Sequence, residues 1–329
     1  MIINTPSRLH IALIDLNGSY GRVDGGVGLV LDKPDFSLRA EPSDKGVTVD
    51  FAKDITDKII RDAAFKKVNA AAEKAIEYYK PDCGFHFTVE KAYPAHSGLG
   101  SGTQMSLAAG KLVTEIMGLH VTSYELGCVV GRGGTSGIGV HGFDKGGLIV
   151  DGGHSLKEKS TFMPSSASDA KPPVLIGRYE FPKEWSVLLA IPNHATNLNG
   201  KEEINVFQKY CPIRKNEVEQ VSHLIFMNLV PFLIEKDIEE FGHALDEIQY
   251  TAFNKIEIAY LQPPKVSKLM NDMRDAGAYG VGLSSLGPTV FTVFDKNNKD
   301  IVETTKDLLG DDGSVIVTKA RNHGAEITN

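Results

Sequence analysis

The sequence contains little cysteine. Its 329 residues include three cysteines, Cys83, Cys128 and Cys211, which lie far apart and form no CxxC pair. An odd number of widely spaced cysteines indicates neither a disulfide framework nor a cysteine zinc site. Because unpaired cysteines are typical of a reducing compartment, we expect a cytoplasmic protein.

A long apolar run and an excess of positive charge are also missing. No stretch of about twenty apolar residues is available to cross a bilayer, and the first residues do not combine a charged segment with an apolar one. The chain has 35 Lys and Arg against 42 Asp and Glu, a net charge of −7. We therefore expect neither a nucleic-acid nor a membrane partner, and any anionic ligand has to be held by local groups.

The remaining composition is that of a folded globular protein. Hydrophobic residues make up 42% and charged residues 23% of the chain, which excludes a mostly disordered or collagen-like protein. The length corresponds to about two domains of roughly 150 residues. A polar segment over 156–173, rich in serine and proline, is interpreted as the interdomain connection. We place the domains at 1–165 and 166–329.

Hydrophobic patterning predicts a mixture of strands and helices. Alternation indicates strands over 2–5, 9–16, 47–51, 85–90, 147–151, 185–191, 290–294 and 315–319. Helical spacing indicates helices over 56–79, after 103, over 123–130, 218–232, 238–252, 266–276 and 299–309. Since the elements do not repeat as strict βαβ units, the predicted fold class is α+β.

A glycine-containing loop lies between a predicted strand and a helix. It consists of Ser97, Gly98, Leu99, Gly100, Ser101, Gly102 and Thr103. A helix beginning near Ser101 directs its unpaired backbone N–H groups and its positive dipole end at whatever occupies this loop. The loop is therefore a candidate phosphate site, although an ordinary tight strand-to-helix turn has the same composition. No Gly-Lys-Ser/Thr closes the loop, so the Walker pattern is absent.

A second glycine-rich segment follows. Ten of the 33 glycines lie between Gly131 and Gly153. Within it, Arg132, Gly133, Gly134, Thr135 and Ser136 can form a nest of backbone N–H groups beside an arginine, which suits a second phosphate or a diphosphate. The alternative is a flexible surface loop.

Charged side chains are concentrated near the amino terminus. Arg8, His10, Asp15, Arg22 and Asp24 lie in two predicted strands and the turn between them. Strand alternation puts Arg8 and His10 on one side of the first strand. These five residues are candidates for catalysis, although charged residues on half-exposed strands are often only solvated.

Two segments resemble motifs of the GHMP kinase superfamily. Residues 94–103 match its second motif, Pro-x-x-x-Gly-Leu-Gly-Ser-Ser, except at the last position, where Gly102 replaces a serine. Residues 280–289, with Ser284 and Ser285, resemble its third motif. The resemblance implies a two-domain GHMP-kinase-like fold: an N-terminal domain like domain 2 of ribosomal protein S5, a ferredoxin-like C-terminal domain, and a ligand cleft between them.

Over nearly its whole length the chain also resembles the β-ribofuranosylaminobenzene 5′-phosphate synthases of tetrahydromethanopterin biosynthesis. The resemblance is carried by Ser-Arg-Leu-His at 7–10, Leu-Ile-Asp-Leu at 13–16, Gly-Arg-Val-Asp-Gly-Gly at 21–26, the first glycine loop, Arg-Gly-Gly-Thr-Ser-Gly-Ile-Gly at 132–139, and 146–154. It implies a phosphoribosyltransferase that condenses 4-aminobenzoate with phosphoribosyl diphosphate. Diphosphate and carbon dioxide are released and a carbon–carbon glycosidic bond forms.

This resemblance also implies roles for the candidate residues. The glycine loops, Arg132 and Mg²⁺ hold the phosphates, and Asp15 or Asp24 faces the cationic sugar carbon or carries the metal. Arg8 or Arg22 positions the acceptor carboxylate, and His10 binds its amino end or a phosphate. We expect a homodimer and no organic cofactor. Use of 4-hydroxybenzoate instead of 4-aminobenzoate is left open. An ATP-dependent GHMP-type kinase, disfavoured by Gly102, and a noncatalytic phospho-ligand sensor are the alternatives.

Overall fold

The computed structural model describes residues 1–94, 97–193 and 200–329. Its strands are β1 Ile2–Asp15, β2 Arg22–Ser43, β3 Val47–Phe51, β4 Gly84–Lys91, β5 Leu148–Asp151, β6 His154–Ser155, β7 Leu175–Tyr179, β8 Ser186–Pro192, β9 Val281–Leu283, β10 Val290–Phe294, β11 Gly313–Thr318 and β12 Glu326–Thr328.

Along the chain, the α-helices are interspersed with the strands in both halves. They are α1 Lys58–Tyr79, α2 Ser101–Ile116, α3 Ser123–Val130, α4 Ile138–Lys145, α5 Gly200–Tyr210, α6 Lys215–Leu224, α7 Val230–Glu235, α8 Ile238–Gln249, α9 Ala252–Ile256, α10 Pro264–Asp275 and α11 Ile301–Leu309. Two π-helical turns, Ile225–Leu229 and Glu257–Leu261, continue α6 and α9. Within the described ranges, none of the helices combines the length and apolar character needed to cross a membrane.

The first sheet has eight strands with the central order β12-β1-β2-β4-β3. The long strand β2 pairs with β5 and β6 along its first half and with β4 along its second half. Strands β3 and β4 are parallel, whereas β1 and β2 form an antiparallel hairpin. The face of this sheet that carries Leu9, Leu38 and Phe87 is buried.

Strand β1 corrects one prediction. The sequence indicated separate strands over 2–5 and 9–16, but the structure has one continuous strand from Ile2 to Asp15. The register with β2 shifts between Thr5 and Ser7. Because Pro6 has no N–H to donate, this irregularity keeps it out of the hydrogen-bonded ladder without ending the strand.

Helix α1 shows why an alanine-rich segment becomes a helix here. The Asp57 side chain accepts hydrogen bonds from the backbone N–H groups of Ile59 and Ile60, which satisfies two of the free donors at the helix start. The helix ends where Lys80 adopts a left-handed conformation immediately before Pro81. Its buried face consists largely of alanines, so the neighbouring helix α2 packs closely against it.

The second sheet is antiparallel with the order β11-β8-β10-β9. In chain order these are the fourth, first, third and second strands of the domain, with helices between the first and second and between the third and fourth. This is the ferredoxin-like arrangement, and the predicted α+β class is confirmed. Helices α10 and α11 cover the sheet through a core that includes Leu188, Met270 and Ile301.

The two sheets do not divide the chain at residue 165. Strand β7 pairs with β5, so the chain leaves the first sheet only after Tyr179. Strand β12 returns to the first sheet and pairs with β1. The predicted boundary between 165 and 166 is corrected in this respect, because β7 covers the edge of β5 that would otherwise be unpaired.

Candidate active site

A cleft of about 470 Å³ lies at the meeting of the two domains. It brings together residues that are distant in the sequence. Twelve of the predicted site residues line it: Arg8, His10, Gly98, Gly100, Ser101, Gly102, Thr103, Arg132, Gly133, Thr135, Ser136 and Ser285. The two glycine loops and the first strand therefore face one common space.

The first glycine loop ends at the N-terminus of α2, as the sequence predicted. Gly100 precedes the helix with φ of 77°, and no side chain caps the free N–H groups of the first turn. Ser101, Gly102 and Thr103 of that turn line the cleft. The backbone donors and the positive dipole end are thus available to an anion. Ala95 and His96 of the same motif lie outside the described residues.

The second glycine loop leads into a helix that the sequence analysis missed. Helix α4 begins at Ile138 after Gly137, which has no side chain to cap it, and the Ile138 N–H makes only a long hydrogen bond of 3.4 Å to the Ser136 hydroxyl. Ser136 and Gly139 at this end line the cleft. The two loops are joined because the Arg132 guanidinium donates to Thr103 Oγ1, with Nη2 at 2.9 Å. Two uncapped helix N-termini therefore open into the same cleft.

Cations dominate the charge of this cleft. Arg8 donates from Nη1 to the Gly98 carbonyl at 2.6 Å, and burial, together with the nearby Arg132 charge, lowers the pKa of Arg8 to about 10 against the opposing effect of Tyr93. Lys66 and Lys67 of α1 also line the cleft. A bound anion would offset the mutual repulsion of these groups, so the acidic chain has concentrated positive charge at one place.

His10 lies beside Arg8 in the cleft as a neutral group. Its side chain is buried, with 8% exposure, and burial together with the Arg8 charge lowers the pKa of His10 to about 3. At neutral pH the imidazole can therefore donate one hydrogen bond and accept another. It adds no charge to the cation cluster.

This pKa shift predicts a pH dependence of stability. The unfolded His10 binds a proton near pH 6.5, whereas the folded one does so only near pH 3. The stabilisation is complete above pH 6.5 and is lost as the pH falls towards 3, at about 1.4 kcal/mol per pH unit. Urea unfolding at pH 7, 6 and 5 should show this loss in the wild type relative to His10→Gln. His120→Gln, at an exposed position, is the control and should lose stability with pH in parallel with the wild type. If His10→Gln also runs parallel to the wild type, the prediction is contradicted.

Residues 284 and 289 of the third motif hold the first glycine loop against the C-terminal domain by hydrogen bonds. The Ser284 hydroxyl donates to the Gly98 carbonyl at 2.7 Å and accepts from the His10 backbone N–H at 3.0 Å. Thr289 donates to the Ser97 carbonyl at 2.5 Å. Ser284 is fully buried, so the predicted phosphate contact is corrected: its hydroxyl holds the first glycine loop against the third motif. Ser285, by contrast, faces the cleft.

Three other residues of the glycine loops, Ser97, Leu99 and Gly134, are not part of the cleft lining. The Ser97 hydroxyl donates to the Pro94 carbonyl at 2.9 Å. Leu99 is buried, and its carbonyl accepts the Arg8 backbone N–H at 3.1 Å. The Gly134 carbonyl accepts a hydrogen bond from Lys159. These residues shape the loops, and their neighbours line the cleft.

Asp15 and Arg22 also lie outside the cleft lining among the described residues. Asp15 Oδ1 accepts hydrogen bonds from the backbone N–H groups of Asn17 and Gly18, at 2.8 and 2.9 Å. Arg22 donates to the carbonyls of Gly152 and Gly153, at 2.8 and 2.9 Å from Nη2. In this arrangement the two side chains hold the turn between β1 and β2 and its neighbouring segment.

Asp24 is buried in an ion-pair cluster. Its Oδ2 lies 2.9 Å from Lys159 Nζ and 2.7 Å from His154 Nδ1. Lys159 also donates to Thr135 Oγ1 and to the Met163 carbonyl, each at 2.9 Å. Asp24 therefore acts on the second glycine loop through Lys159, and it is corrected from a group facing substrate to one that supports the loop.

A second buried aspartate supports the same loop. Asp151 accepts hydrogen bonds from the Gly137 N–H at 2.8 Å and the Gly153 N–H at 3.0 Å. Burial outweighs these bonds and raises the pKa of Asp151 to about 7. The carboxyl thus fixes the entry to helix α4.

The described residues do not form a protein-only magnesium site. No group of three or more His, Cys, Asp or Glu among them could hold a metal ion. Asp24, one of the two predicted ligands, already pairs with Lys159 and His154. Asp15 uses one carboxylate oxygen for the turn. The predicted metal roles of these two aspartates do not fit this arrangement.

The sequence analysis missed several residues of the cleft. Lys66 and Lys67 share a helix face with Ala63, at the spacing i, i+3 and i+4, and all three line the cleft. That periodicity was visible in the sequence, but it did not say which side of α1 faces a ligand. Phe207 and Glu257 also line the cleft. They come from the C-terminal half, where only the third motif signalled a site.

Comparison with known families agrees with this architecture. The model described as GHMP kinases N terminal domain matches residues 65–145, and the model described as GHMP kinases C terminal matches residues 229–304. A mevalonate kinase crystal structure superposes with a TM-score of 0.70 at 15% identity, covering 98% of this chain and 100% of that one. Fold and cleft thus define a protein of the GHMP kinase fold with a cleft between its domains that is lined by cationic side chains and glycine loops.

Two curated relatives are much more similar in sequence. Both are named β-ribofuranosylphenol 5′-phosphate synthase. The protein from Methanothermobacter thermautotrophicus is 48% identical, covering 99% of this chain and 98% of its own. The protein from Archaeoglobus fulgidus is 46% identical with the same coverage. This chain belongs to the family of these synthases, and the predicted family is confirmed. The names specify a phenol, whereas the sequence resemblance implied an aminobenzene ring.

Proposed function

We propose that this protein is a phosphoribosyltransferase that joins phosphoribosyl diphosphate to a 4-substituted benzoate and releases diphosphate and carbon dioxide. The product is a ribofuranosylbenzene 5′-phosphate in tetrahydromethanopterin biosynthesis. The observation that carries the proposal is the convergence of two uncapped helix N-termini, α2 and α4, with Arg8 and Arg132 in one cleft. Such a site suits a ligand with two phosphate-containing ends.

The cleft can assist departure of the leaving group. When the bond between the anomeric carbon and diphosphate breaks, negative charge develops on diphosphate and positive charge on the sugar. Backbone donors and fixed cations stabilise the leaving group without having to reorganise. His10 lines the same cleft as a neutral group and therefore adds no positive charge to it. The ring carbon that carries the acceptor carboxylate attacks, and loss of carbon dioxide restores aromaticity.

The acceptor is proposed as 4-aminobenzoate or 4-hydroxybenzoate. Either substituent donates electron density to the ring carbon para to it, which makes that carbon nucleophilic. The family resemblance in the sequence favours the amino compound, and the names of the two relatives favour the hydroxyl compound. The acceptor carboxylate can be held by an arginine of the cleft through paired hydrogen bonds.

A GHMP-type kinase is the second candidate because of the shared fold. At Gly102 an added Cβ would lie 3.5 Å or more from its neighbours, so the serine of the kinase motif could be accommodated. Packing therefore does not explain the glycine at this position, and the missing hydroxyl agrees with a chemistry other than transfer from ATP.

One assay separates the candidates. The protein is incubated with phosphoribosyl diphosphate, Mg²⁺ and either benzoate labelled in the carboxyl group, with ATP and small alcohols in parallel. Labelled carbon dioxide and diphosphate released in equal amounts support the transferase. Consumption of ATP without label release would select the kinase, and binding of phosphoribosyl diphosphate without turnover would select a sensor.

Asp15→Ala and Arg22→Ala are each expected to lower kcat/KM by about 10²-fold or more, because a small displacement of groups away from the reacting atoms can have an effect of this size. The family resemblance offers both residues for catalysis, and since they lie outside the cleft lining and hold the turn that follows β1, they would act through the position of that turn. Steady-state kinetics of both variants test this, with melting temperatures as the control for folding. Near-normal kinetics in both would refute the assignment.

Three further expectations remain proposals. Mg²⁺ as the cofactor and a homodimer as the assembly rest on the family resemblance. A cytoplasmic location rests on the three unpaired cysteines.

A further inference from the structure

Glu257 has a carboxyl group that the preceding mechanism does not use. It begins the π-helical turn Glu257–Leu261 and lines the cleft. Its side chain is 7% exposed, and among the described residues no hydrogen bond or ion pair is formed by its carboxyl. A buried carboxyl without a partner is costly. Its retention at the cleft indicates a ligand group that completes it.

The surroundings of Glu257 are held in place by polar contacts to β1. Asn254, three residues earlier, donates from its amide to the Ile11 carbonyl at 2.7 Å. Gln249 donates to the same carbonyl at 3.2 Å. This end of α9 is therefore anchored beside the strand that carries Arg8 and His10. Glu257 is consequently presented at a defined position of the cleft wall.

Apolar side chains share the cleft with this carboxyl. Leu13, Met105, Phe207 and Leu286 line it together with Glu257. The Phe207 ring lies 5.1 Å, centroid to centroid, from the ring of Phe253, so its orientation is fixed by packing. Such a surface accepts the faces and edges of an aromatic ring. If the ring carries an O–H or N–H substituent, that substituent is a donor and needs a hydrogen-bond acceptor.

The electrostatics of Glu257 suit a proton acceptor. Burial raises the pKa of its carboxyl well above the usual value. In its ionised form this carboxylate is therefore a stronger base than an ordinary one, and its pKa lies closer to the pKa of about 10 of a phenol. Proton transfer between groups of similar pKa is more efficient than transfer to an ordinary, weakly basic carboxylate.

We propose that Glu257 binds the substituent of the acceptor ring para to its carboxylate and accepts the O–H or N–H proton of that substituent as the ring attacks the sugar. This inference rests on the proposed function and adds a catalytic residue to it. It also makes Glu257 a determinant of acceptor specificity, because only a substituent with a transferable proton completes the contact.

The step balances with the groups already named. The ring carbon bearing the carboxylate forms a bond to the anomeric carbon, and the electron pair of the breaking bond leaves on diphosphate. The substituent proton moves to the Glu257 carboxylate, which leaves a carbonyl or imine on the ring. Carbon dioxide then departs, its bonding pair restores the aromatic ring, and Glu257 returns the proton to the oxygen or nitrogen.

The first test compares Glu257→Gln with Glu217→Gln, which removes a carboxylate that pairs with Lys255 outside the cleft lining. Glu257→Gln should lower kcat with the accepted benzoate by about 10²-fold and leave the KM for phosphoribosyl diphosphate and the melting temperature unchanged. Glu217→Gln should behave as the wild type. A Glu257→Gln kcat within threefold of the wild type, or a loss confined to the KM for phosphoribosyl diphosphate, would overturn the inference.

A second readout separates this inference from the proposed function. Equilibrium binding of 4-hydroxybenzoate and 4-methoxybenzoate is measured without turnover, for the wild type and Glu257→Leu. The wild type should prefer the hydroxyl compound by about tenfold, as a charge-assisted hydrogen bond requires, and Glu257→Leu should lose that preference. If the wild type shows no turnover but keeps this preference, the proposed function fails and the Glu257 contact stands. If the Glu257 variants keep the turnover or the ligand preference of the wild type, the inference about Glu257 is overturned and the proposed function stands.

Discussion

Replacing Arg8 by alanine is expected to lower kcat/KM for phosphoribosyl diphosphate by about 10²- to 10³-fold. The Arg8 guanidinium reaches the Gly98 carbonyl of the first glycine loop and faces the cleft beside His10. Its removal takes away both a charge for the phosphates and a contact that holds the loop. Steady-state kinetics at varied phosphoribosyl diphosphate, with direct binding of that ligand, measure the loss.

Arg8→Lys is the matched variant for this experiment. It keeps the positive charge but lacks the planar set of donors that can contact the Gly98 carbonyl and an anion together. An intermediate loss is expected, with binding affected less than in Arg8→Ala. If Arg8→Ala binds phosphoribosyl diphosphate as tightly as the wild type, the anion site has been assigned to the wrong wall of the cleft.

The second large effect is expected at Gly98. An alanine there would place its Cβ 2.5 Å from the Ser284 backbone oxygen, at a φ of +80°. Such a contact cannot be relieved by moving a side chain, so the first glycine loop and the third motif must separate. We expect a loss of activity of at least about 10²-fold, from displaced donors at the cleft, together with a lower free energy of unfolding.

Gly118→Ala provides the control for backbone conformation. Gly118 has a φ of +73°, and nothing lies within 4 Å of the position of an added Cβ. This variant should lose only about 1 kcal/mol of stability, from the left-handed conformation, and it should keep its activity. If the Gly98 and Gly118 variants have the same melting temperature and activity, the packing of the loop against Ser284 is not needed.

The sequence predicted the start of α2 correctly because that start depends on local geometry. A helix start is decided by a few neighbouring residues, so the position of α2 after Gly100 could be inferred from the loop alone. Arg132, Gly133, Thr135 and Ser136 line the same cleft, and their binding of phosphate stays a prediction. Arg8 and His10 are on the same side of β1 because strand alternation is also local.

Prediction failed where a side chain has a distant partner. Asp24 was a candidate for the cationic sugar or a metal, but its partners Lys159 and His154 are about 130 residues away and both contact its Oδ2. Ser284 was a candidate for phosphate, but its hydroxyl holds the first glycine loop. Glu257 carried no motif at all, because it is distinguished by a buried carboxyl that has no partner among the described residues, which only the fold reveals.

The amino-acid sequence by itself determined the family, the α+β class, and the two loops with backbone donors, since these follow from residue order and short-range conformation. Only the tertiary structure decided which charged side chains face the cleft and which are paired inside the fold. Burial and pairing between distant segments set the energy of each charged group. That is why Arg8, Lys66 and Glu257 face the cleft, while Asp24 and Asp151 support its walls.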